Sequence, residues 1–373
     1  MNSTVSSHPV PAADELEVSL FGPGFGECVV VHLGRGDWMV VDSCLNDAQD
    51  QPVALEYLAS LGVDVAKQVR LVVVTHWHDD HIRGSARVYA EAASARFVCS
   101  AAFQNKEFFE ILAASERIKT VARDSSTSEF QDILGELHRR KERGGGRSQA
   151  GPDHWAQDGS PLFQSSGSSQ VSVTALSPSP QTITDAAANL GKLIPAISSQ
   201  FNRFPRCSPN DQSVALLVHS DGCSVLLGAD LETVSDPDRG WRAVVSSPVR
   251  PQVTSNAIKV AHHGSENGDL DELWSTLLEP NSPAFLTPYS SGRKPLPSDK
   301  DVERLKTRTS RLYCTSWPPT RKPPRHPGVD RTLREMTRMH RAVSRQVGHI
   351  RLRMNLSQQT APVIDTFNGA CQL

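Results

Sequence analysis

Short apolar runs, each closed by a glycine turn or a polar cluster, recur along this chain from residue 16 to residue 315. The first three, at residues 18–21, 28–33 and 38–41, are separated by Gly-rich turns, which is typical of consecutive antiparallel strands. A stretch of helical spacing at 55–61 then precedes the β-branched run 69–75. Because strands and helices go on alternating, we predict an α/β fold with two sheets covered by helices, in four layers.

The rest of the chain continues this alternation. The further predicted strands are 96–99, 171–176, 213–219, 223–227, 257–260, 283–287 and 311–315, and the further predicted helices are 85–95, 105–143, 270–278 and 299–307. We expect one domain over 16–355, between a disordered leader at 1–15 and a tail at 356–373. Two insertions are expected within it, at about 105–170 and 181–209, and the Ser- and Gly-rich stretch 148–169 is expected to be exposed.

Composition excludes several classes of protein. No run reaches the ~18–20 apolar residues that a membrane-spanning helix needs. The first 15 residues lack the basic and apolar regions of a signal peptide, so we expect a cytoplasmic protein without a membrane partner. The seven cysteines contain no CxxC pair, which argues against a disulfide framework or a cysteine zinc knuckle.

The motif Thr75-His76-Trp77-His78-Asp79-Asp80-His81 places three imidazoles and two carboxylates directly after a predicted buried strand. In an extended segment, His76, His78 and Asp80 share one side of the chain. If a helix starts at His81, then Asp80 and His81 face a second point, so that one loop can serve two metal ions. Imidazole and carboxylate ligands suit zinc, manganese or iron. Asp79 is expected to lie behind the ligands or in solvent.

Two later strands end in residues of the same kinds. Asp230 follows the apolar run that ends at 227, where a carboxylate can bridge two ions or simply face solvent. His262 and His263 follow the predicted strand 257–260, and Gly264 after them allows close backbone approach. The sequence alone does not decide which of the two histidines is a metal ligand, and the other is a candidate to donate a proton to a leaving group.

In this order, Asp42, His76-x-His78-x-Asp80-His81, Asp230 and His262-His263 resemble the signature of the metallo-β-lactamase superfamily. A finer resemblance is to the soluble domain of competence-type DNA-uptake proteins (ComEC-like). It is carried by three motifs, Gly24-Phe25-Gly26-Glu27, Asn210-Asp211-Gln212-Ser213-Val214 and the segment 259–265. The superfamily resemblance implies the four-layer αββα sandwich.

The resemblance also implies roles for these residues. His76 and His78 would hold one ion, Asp80 and His81 with His262 or His263 would hold the other, and Asp230 would bridge them. Asp42 would orient a ligand histidine. Asn210 or Asp211 stands where the first ion usually has a third histidine, so this first site is expected to be more open. We expect two divalent ions, zinc first, with manganese or iron as alternatives.

Charge is distributed unevenly along the chain. The net charge is −2, yet residues 293–353 hold 17 Lys/Arg against 5 Asp/Glu, which leaves −14 for the remainder. Within the basic segment 318–346, five arginines lie near helical spacing, namely Arg331, Arg334, Arg338, Arg341 and Arg345. Such a face can contact nucleic-acid phosphates. The alternative, weighed equally, is a solvated helix or one paired with the acidic remainder.

These features together predict a metal-dependent hydrolase in which metal binding lowers the pKa of water toward ~7 and so supplies hydroxide at neutral pH. A phosphodiester of nucleic acid or of a nucleotide is the expected substrate. One alternative keeps the metal centre but acts on a small ester, thioester, lactone or lactam. The other is a metal-binding scaffold or sensor with a protein partner in a multi-gene DNA-handling or defence system.

Overall fold

A computed structural model describes residues 9–22, 25–46, 48–104, 108, 125–143, 152–166, 170–197, 210–290, 294–318 and 347–373, without the side chains of 125–127 and 190–197. The arginine face predicted within 318–346 lies outside these residues. Within them, no helix is long and apolar enough to cross a membrane.

The first sheet has eight strands in the spatial order β17-β16-β1-β2-β3-β6-β7-β8. These strands are β1 (Glu15–Gly22), β2 (Cys28–His32), β3 (Trp38–Val41), β6 (Val69–Val74), β7 (Arg96–Ser100), β8 (His154–Ala156), β16 (Gly348–Asn355) and β17 (Val363–Phe367). Pairing is antiparallel from β17 to β3 and parallel from β3 to β8. Two short strands, β4 (Leu45–Asn46) and β5 (Gln51–Pro52), form a separate ribbon.

The second sheet also has eight strands, in the order β18-β15-β14-β13-β12-β11-β10-β9. Its strands are β9 (Pro161–Gln164), β10 (Ser172–Ala175), β11 (Leu216–His219), β12 (Ser224–Leu227), β13 (Ala257–Lys259), β14 (Ala284–Leu286), β15 (Leu312–Cys314) and β18 (Cys371–Gln372). The four strands from β12 to β15 run parallel, and the other pairs are antiparallel.

Helices cover the outer face of each sheet. They are α1 (Val53–Ser60), α2 (Val65–Gln68), α3 (Asp79–Ile82), α4 (Ser85–Glu91), α5 (Ser125–Arg143), α6 (Pro180–Ile197), α7 (Gly240–Ser246), α8 (Asp271–Leu277) and α9 (Asp299–Arg308). One core packs α1, α4 and α5 against the first sheet, and another packs α7, α8 and α9 against the second. The third core lies between the sheets. The prediction of two sheets flanked by helices in an α/β fold is therefore confirmed.

Two segments that were expected to be insertions contribute regular structure. His154–Ala156 and Pro161–Gln164 are strands β8 and β9, and they bury Ala156 and Leu162 between the sheets. The prediction that 148–169 is an exposed insertion is therefore wrong at these strands, because the Ser- and Gly-rich composition hides two short edge strands. Part of the second insertion forms the helix α6.

The C-terminal residues also differ from expectation. The stretch 356–373, set apart as a tail, supplies β17 and β18, which pair with β16 and β15. Its backbone is therefore part of both sheets. β16 itself pairs along its whole length with β1, and its inward residues Ile350, Leu352 and Met354 lie in the core between the sheets.

The parallel strands bring their carboxyl ends to one edge of the sandwich. Asp42 follows β3 and Thr75 follows β6, while Asp230 lies just beyond β12, His263 beyond β13 and Thr287 beyond β14. The carboxyl ends of parallel strands are where open α/β sheets place their ligands. The fold thus gathers residues from both halves of the chain at this edge.

Candidate metal centre

The histidine motif changes from extended chain to helix in the middle. β6 ends at Val74, residues 75–78 lie outside helix and strand with His78 in an extended conformation, and α3 begins at Asp79. His76 and His78 lie on one side, with 3.2 Å between His76 Nε2 and His78 Nδ1. The helix α3 begins two residues before the predicted start at His81, and the turn into it directs Asp80 and His81 to a second point.

Among the residues that the structure describes, three groups of side chains that could hold a metal ion lie there, and one of them is Asp42, His76 and His81. We call the other two, which share Asp230, the first and the second cluster. The first contains His76, His78 and Asp230, and the second contains Asp80, His81, Asp230 and His263. Within each cluster the ligand atoms lie within 4.8 Å of one another. Asp230 is common to both clusters, and its carboxylate Oδ2 lies 3.9 Å from His76 Nε2 and 3.7 Å from His263 Nε2.

Unpaired polar atoms test whether these clusters fit metal ions. His81 Nε2 and Asp230 Oδ1 are buried and have no hydrogen-bond partner, although they lie only 3.3 Å apart. A buried polar atom without a partner costs about 1–3 kcal/mol. Since imidazole nitrogen and carboxylate oxygen are ligands for zinc and related ions, the two orphaned atoms fit a bound cation.

Hydrogen bonds behind the clusters fix the orientation of two histidines. Asp42 Oδ2 accepts from His81 Nδ1 at 2.8 Å and from the Thr75 hydroxyl at 2.7 Å. The Thr75 oxygen in turn lies 3.0 Å from His76 Nδ1. Because the Nδ1 atoms are engaged, the Nε2 atoms of His76 and His81 are left for the clusters.

Burial and neighbouring charges shift the pKa values of the three buried histidines in different directions. Burial lowers the pKa of His76 well below its usual value, which favours the neutral imidazole. Burial alone would lower the pKa of His81 as well, but the carboxylates of Asp230 and Asp80 hold that pKa well above its usual value. Asp230, followed by Asp80, outweighs burial at His263 too and raises its pKa.

The pKa values of the carboxylates shift in the opposite direction to those of His81 and His263. Burial would raise the pKa of Asp80 and Asp230, but His81 and His263 lower both, with the pKa of Asp230 well below its usual value. The second cluster thus holds two ionised carboxylates deep in the protein, and without a metal the His81 and His263 rings balance their charge.

The structure separates the two adjacent histidines. His263 is buried, and its Nε2 lies 3.2 Å from Asp80 Oδ2, inside the second cluster. His262 is only half-buried and turns away, with its Nδ1 2.9 Å from Asn267 Oδ1 and 3.3 Å from the Glu232 carboxylate. His263 is therefore the histidine placed to be a ligand.

Asn210 and Asp211 are the two alternatives for a further ligand of the first ion. Their side chains have different partners. Asn210 is buried, its Nδ2 lies 3.2 Å from His262 Nε2, and its Oδ1 has no hydrogen-bond partner. The carboxylate of Asp211 instead pairs with Arg239. Asp79 is half-buried beside the motif and takes no part in either cluster.

Several residues at the site have unusual backbone angles. Eight non-glycine residues have positive φ in the described part of the chain, and four of them belong to this edge: Asp42, Ala229, His262 and His263. Each such residue costs about 1–3 kcal/mol, and strain of this kind concentrates at functional sites.

Comparison with known families agrees with this geometry. Residues 21–135 match the family model of the metallo-beta-lactamase superfamily. The match supports this superfamily. It includes Asp42 and the motif from His76 to His81, and it ends before Asp230. No curated protein matches the chain.

Similar solved structures are distant. A motif mutant of a metallo-beta-lactamase from Cronobacter sakazakii is 16% identical, with 63% of this chain and 64% of that chain covered and a TM-score of 0.28. A metallo-beta-lactamase fold protein from Bacillus subtilis is 11% identical, with 80% and 95% covered and a TM-score of 0.33. A diiron beta-hydroxylase from Streptomyces venezuelae is 16% identical, with 82% and 41% covered and a TM-score of 0.28. The chain spans less than two thirds of the length of the Cronobacter protein.

The superfamily signature does not include every residue that shapes the site. Thr75 and Thr287 contact candidate ligand histidines, and Glu232 contacts His262, but the sequence alone assigned a role to none of the three. The sequence feature that could have identified them is their position, because each lies within two residues of the end of a strand or of a predicted ligand. Because parallel strands share an edge, such residues are candidates to support the ligands.

Proposed function

We propose that this chain is a phosphodiesterase that depends on two divalent metal ions, with zinc as the expected metal. The observation that carries the proposal is the position of Asp230, whose carboxylate belongs to both donor clusters. Paired ions bridged in this way are suited to displacement at phosphorus, where the attacking and the leaving oxygen both need stabilisation.

A different set of residues would hold each ion, with Asp230 common to both sets. His76, His78 and Asp230 would hold one ion, with the orphaned Asn210 Oδ1 as a further oxygen ligand, and Asp80, His81, Asp230 and His263 would hold the other. Such ions act as Lewis acids toward phosphoryl oxygens and lower the pKa of water.

His262 is the residue we assign to protonate the leaving oxygen. It is half-buried beside the clusters, and the Asn267 and Glu232 oxygens engage its Nδ1. Its Nε2 lies 3.2 Å from Asn210 Nδ2, so the doubly protonated ring would be the form that donates the proton to the leaving oxygen. A positioned general acid of this kind contributes about 10²–10⁴-fold to the rate.

Nucleic acid or a nucleotide is the proposed substrate. The ComEC-like motifs around Glu27, Asn210 and His263 support it, and so does the excess of basic residues in 293–353. Part of that excess is neutralised inside the fold: Arg351 pairs with Asp365, and Arg353 with the buried Glu17. The arginines from Arg331 to Arg345 therefore carry the proposed phosphate contacts.

The proposal is tested by metal analysis and turnover of bis-p-nitrophenyl phosphate in the same preparations. Wild type is expected to bind two ions and cleave the diester, and Asp80→Asn is expected to lose metal and turnover together. Asp211→Asn is the matched control, because this carboxylate pairs with Arg239 instead of the clusters. Two bound metals with cleavage of p-nitrophenyl acetate or a lactam, but of no phosphodiester including single-stranded DNA and cyclic dinucleotides, would contradict it.

A further inference from the structure

A buried ion pair joins the two halves of the site. Glu27 directly precedes β2 of the first sheet, and Lys259 is the last residue of β13 in the second. Both side chains are almost wholly inaccessible to solvent, and the Lys259 ammonium pairs with Glu27 Oε1. Replacing a buried ion pair by apolar residues is often neutral or stabilising, so stability alone does not account for such a pair.

Glu27 reaches His263 through a threonine. The Thr287 hydroxyl donates to Glu27 Oε2 at 2.6 Å, so its only proton is used there. The hydroxyl oxygen and the carbonyl oxygen of Thr287 both lie 3.1 Å from His263 Nδ1. They accept the Nδ1 proton, so Nε2 is the ring nitrogen that faces the second cluster, 3.2 Å from Asp80 Oδ2.

Lys259 reaches Asp230 through the backbone. Its ammonium donates to the carbonyl oxygen of Ala229 at 2.8 Å. Ala229 has a φ of 46° and immediately precedes Asp230, so this hydrogen bond holds a strained turn at the carboxylate that both clusters share.

The backbone of Glu27 supports a third member of the second cluster. Its N–H donates to the carbonyl oxygen of Asp80 at 2.8 Å. Gly26 allows this approach, because its φ is 100° and a Cβ there would lie 2.6 Å from Cys44 Cβ. Glu27 and Lys259 are therefore linked to Asp80, Asp230 and His263.

We propose that the buried pair of Glu27 and Lys259 is a positioning device that holds Asp80, Asp230 and His263 in place for the second ion. The inference rests on the metal centre of the proposed function and not on its substrate. Loss of phosphodiesterase activity would therefore leave it intact, provided that zinc still binds.

The test is a zinc titration of metal-free protein, followed through the ¹⁵N resonances of histidine. In Glu27→Gln, we expect the His81 and His263 signals to require about 10–100-fold more zinc, and the His76 and His78 signals to shift by less than about threefold. The double variant Glu27→Gln/Lys259→Met removes both charges. It is expected to regain most of any lost melting temperature, but not the zinc affinity of the second cluster. Wild-type zinc affinity in the double variant, or equal weakening of both clusters in Glu27→Gln, would overturn the proposal.

A milder pair of variants keeps the test valid if Glu27→Gln does not fold. Thr287→Ser retains the hydroxyl and is expected to bind zinc like wild type, whereas Thr287→Val is expected to lose about tenfold or more at the second cluster. Thr309→Val is the control, since it removes another buried hydroxyl, which contacts Asn281 at the opposite end of the strands. If Thr287→Val binds zinc as tightly as Thr287→Ser, Glu27 does not act through Thr287.

Discussion

Asp42 Oδ2 accepts a 2.8 Å hydrogen bond from His81 Nδ1, and the other nitrogen of that ring, Nε2, is the buried atom left without a partner. One bond thus determines which nitrogen of His81 is presented to the second cluster. Asp42 follows β3 and His81 lies in α3, 39 residues later, so the fold of the first sheet sets the tautomer.

Asp42→Asn tests this relationship. The asparagine amide can donate to Nδ1 and so favour the tautomer with its proton on Nε2, which cannot bind a metal. We expect zinc affinity to fall about 10–100-fold. The same change at Asp37, which pairs with Arg70 at the surface, is expected to have no effect. Equal affinities of the two variants in a chelator competition would refute the role given to Asp42.

His262 and His263 are expected to differ when each is changed to glutamine. His263→Gln removes a ligand and should lower the number of bound metals. His262→Gln should keep both metals but lower kcat about 10²–10⁴-fold for a diester with an alkoxide leaving group, and much less for p-nitrophenolate, which needs no proton. Metal analysis and the two substrates together provide the measurement. An equal loss with both leaving groups would contradict a role in protonation.

Metal binding should depend on pH in a defined direction. Without metal, neighbouring carboxylates raise the pKa of His81 and His263, so both rings keep their protons to a higher pH than a free imidazole does. A metal ion must displace these protons, and its apparent affinity should therefore rise with pH through and above the ordinary histidine pKa of about 6.5. Calorimetry in two buffers of different ionisation enthalpy counts the protons released. An affinity that is constant over this range, with no proton release, would be incompatible with the assignment.

The strand β16 is expected to be essential to stability. Ile350 is buried between the two sheets, and Ile350→Ala should cost about 2–5 kcal/mol of unfolding free energy. Val363 on the neighbouring edge strand is 59% exposed, and Val363→Ala should change the unfolding free energy by less than about 0.5 kcal/mol. Urea denaturation compares the two. Similar midpoints would mean that β16 does not pack in the core.

Much of the site could be predicted because its ligands are local in sequence. His76, His78, Asp80 and His81 lie within six positions after an apolar strand. Alternation places His76 and His78 on one side, and the helix start expected after them turns Asp80 and His81 to a second point. The choice between His262 and His263 was different. Both residues have positive φ. The sequence does not predict this turn, so it does not show which of the two side chains faces the clusters.

A count of charges does not show which arginines form ion pairs inside the fold. Arg351 and Arg353 alternate with the apolar residues Ile350, Leu352 and Met354 of β16, which is a strand pattern, but by charge alone they only add to the basic excess of 293–353. Their partners Asp365 and Glu17 are distant in sequence or hidden in another strand, so only the folded structure reveals the pairing. The threonine and lysine contacts to the ligands depend on distant strands in the same way.

The most direct measurement is anomalous diffraction at the zinc edge from crystals of zinc-loaded protein. The account predicts two peaks, each about 2.0–2.2 Å from an oxygen of the Asp230 carboxylate, one beside His76 and His78 and the other beside His81 and His263. A single peak, or two peaks that do not share Asp230, would contradict the paired metal centre on which the proposed activity depends.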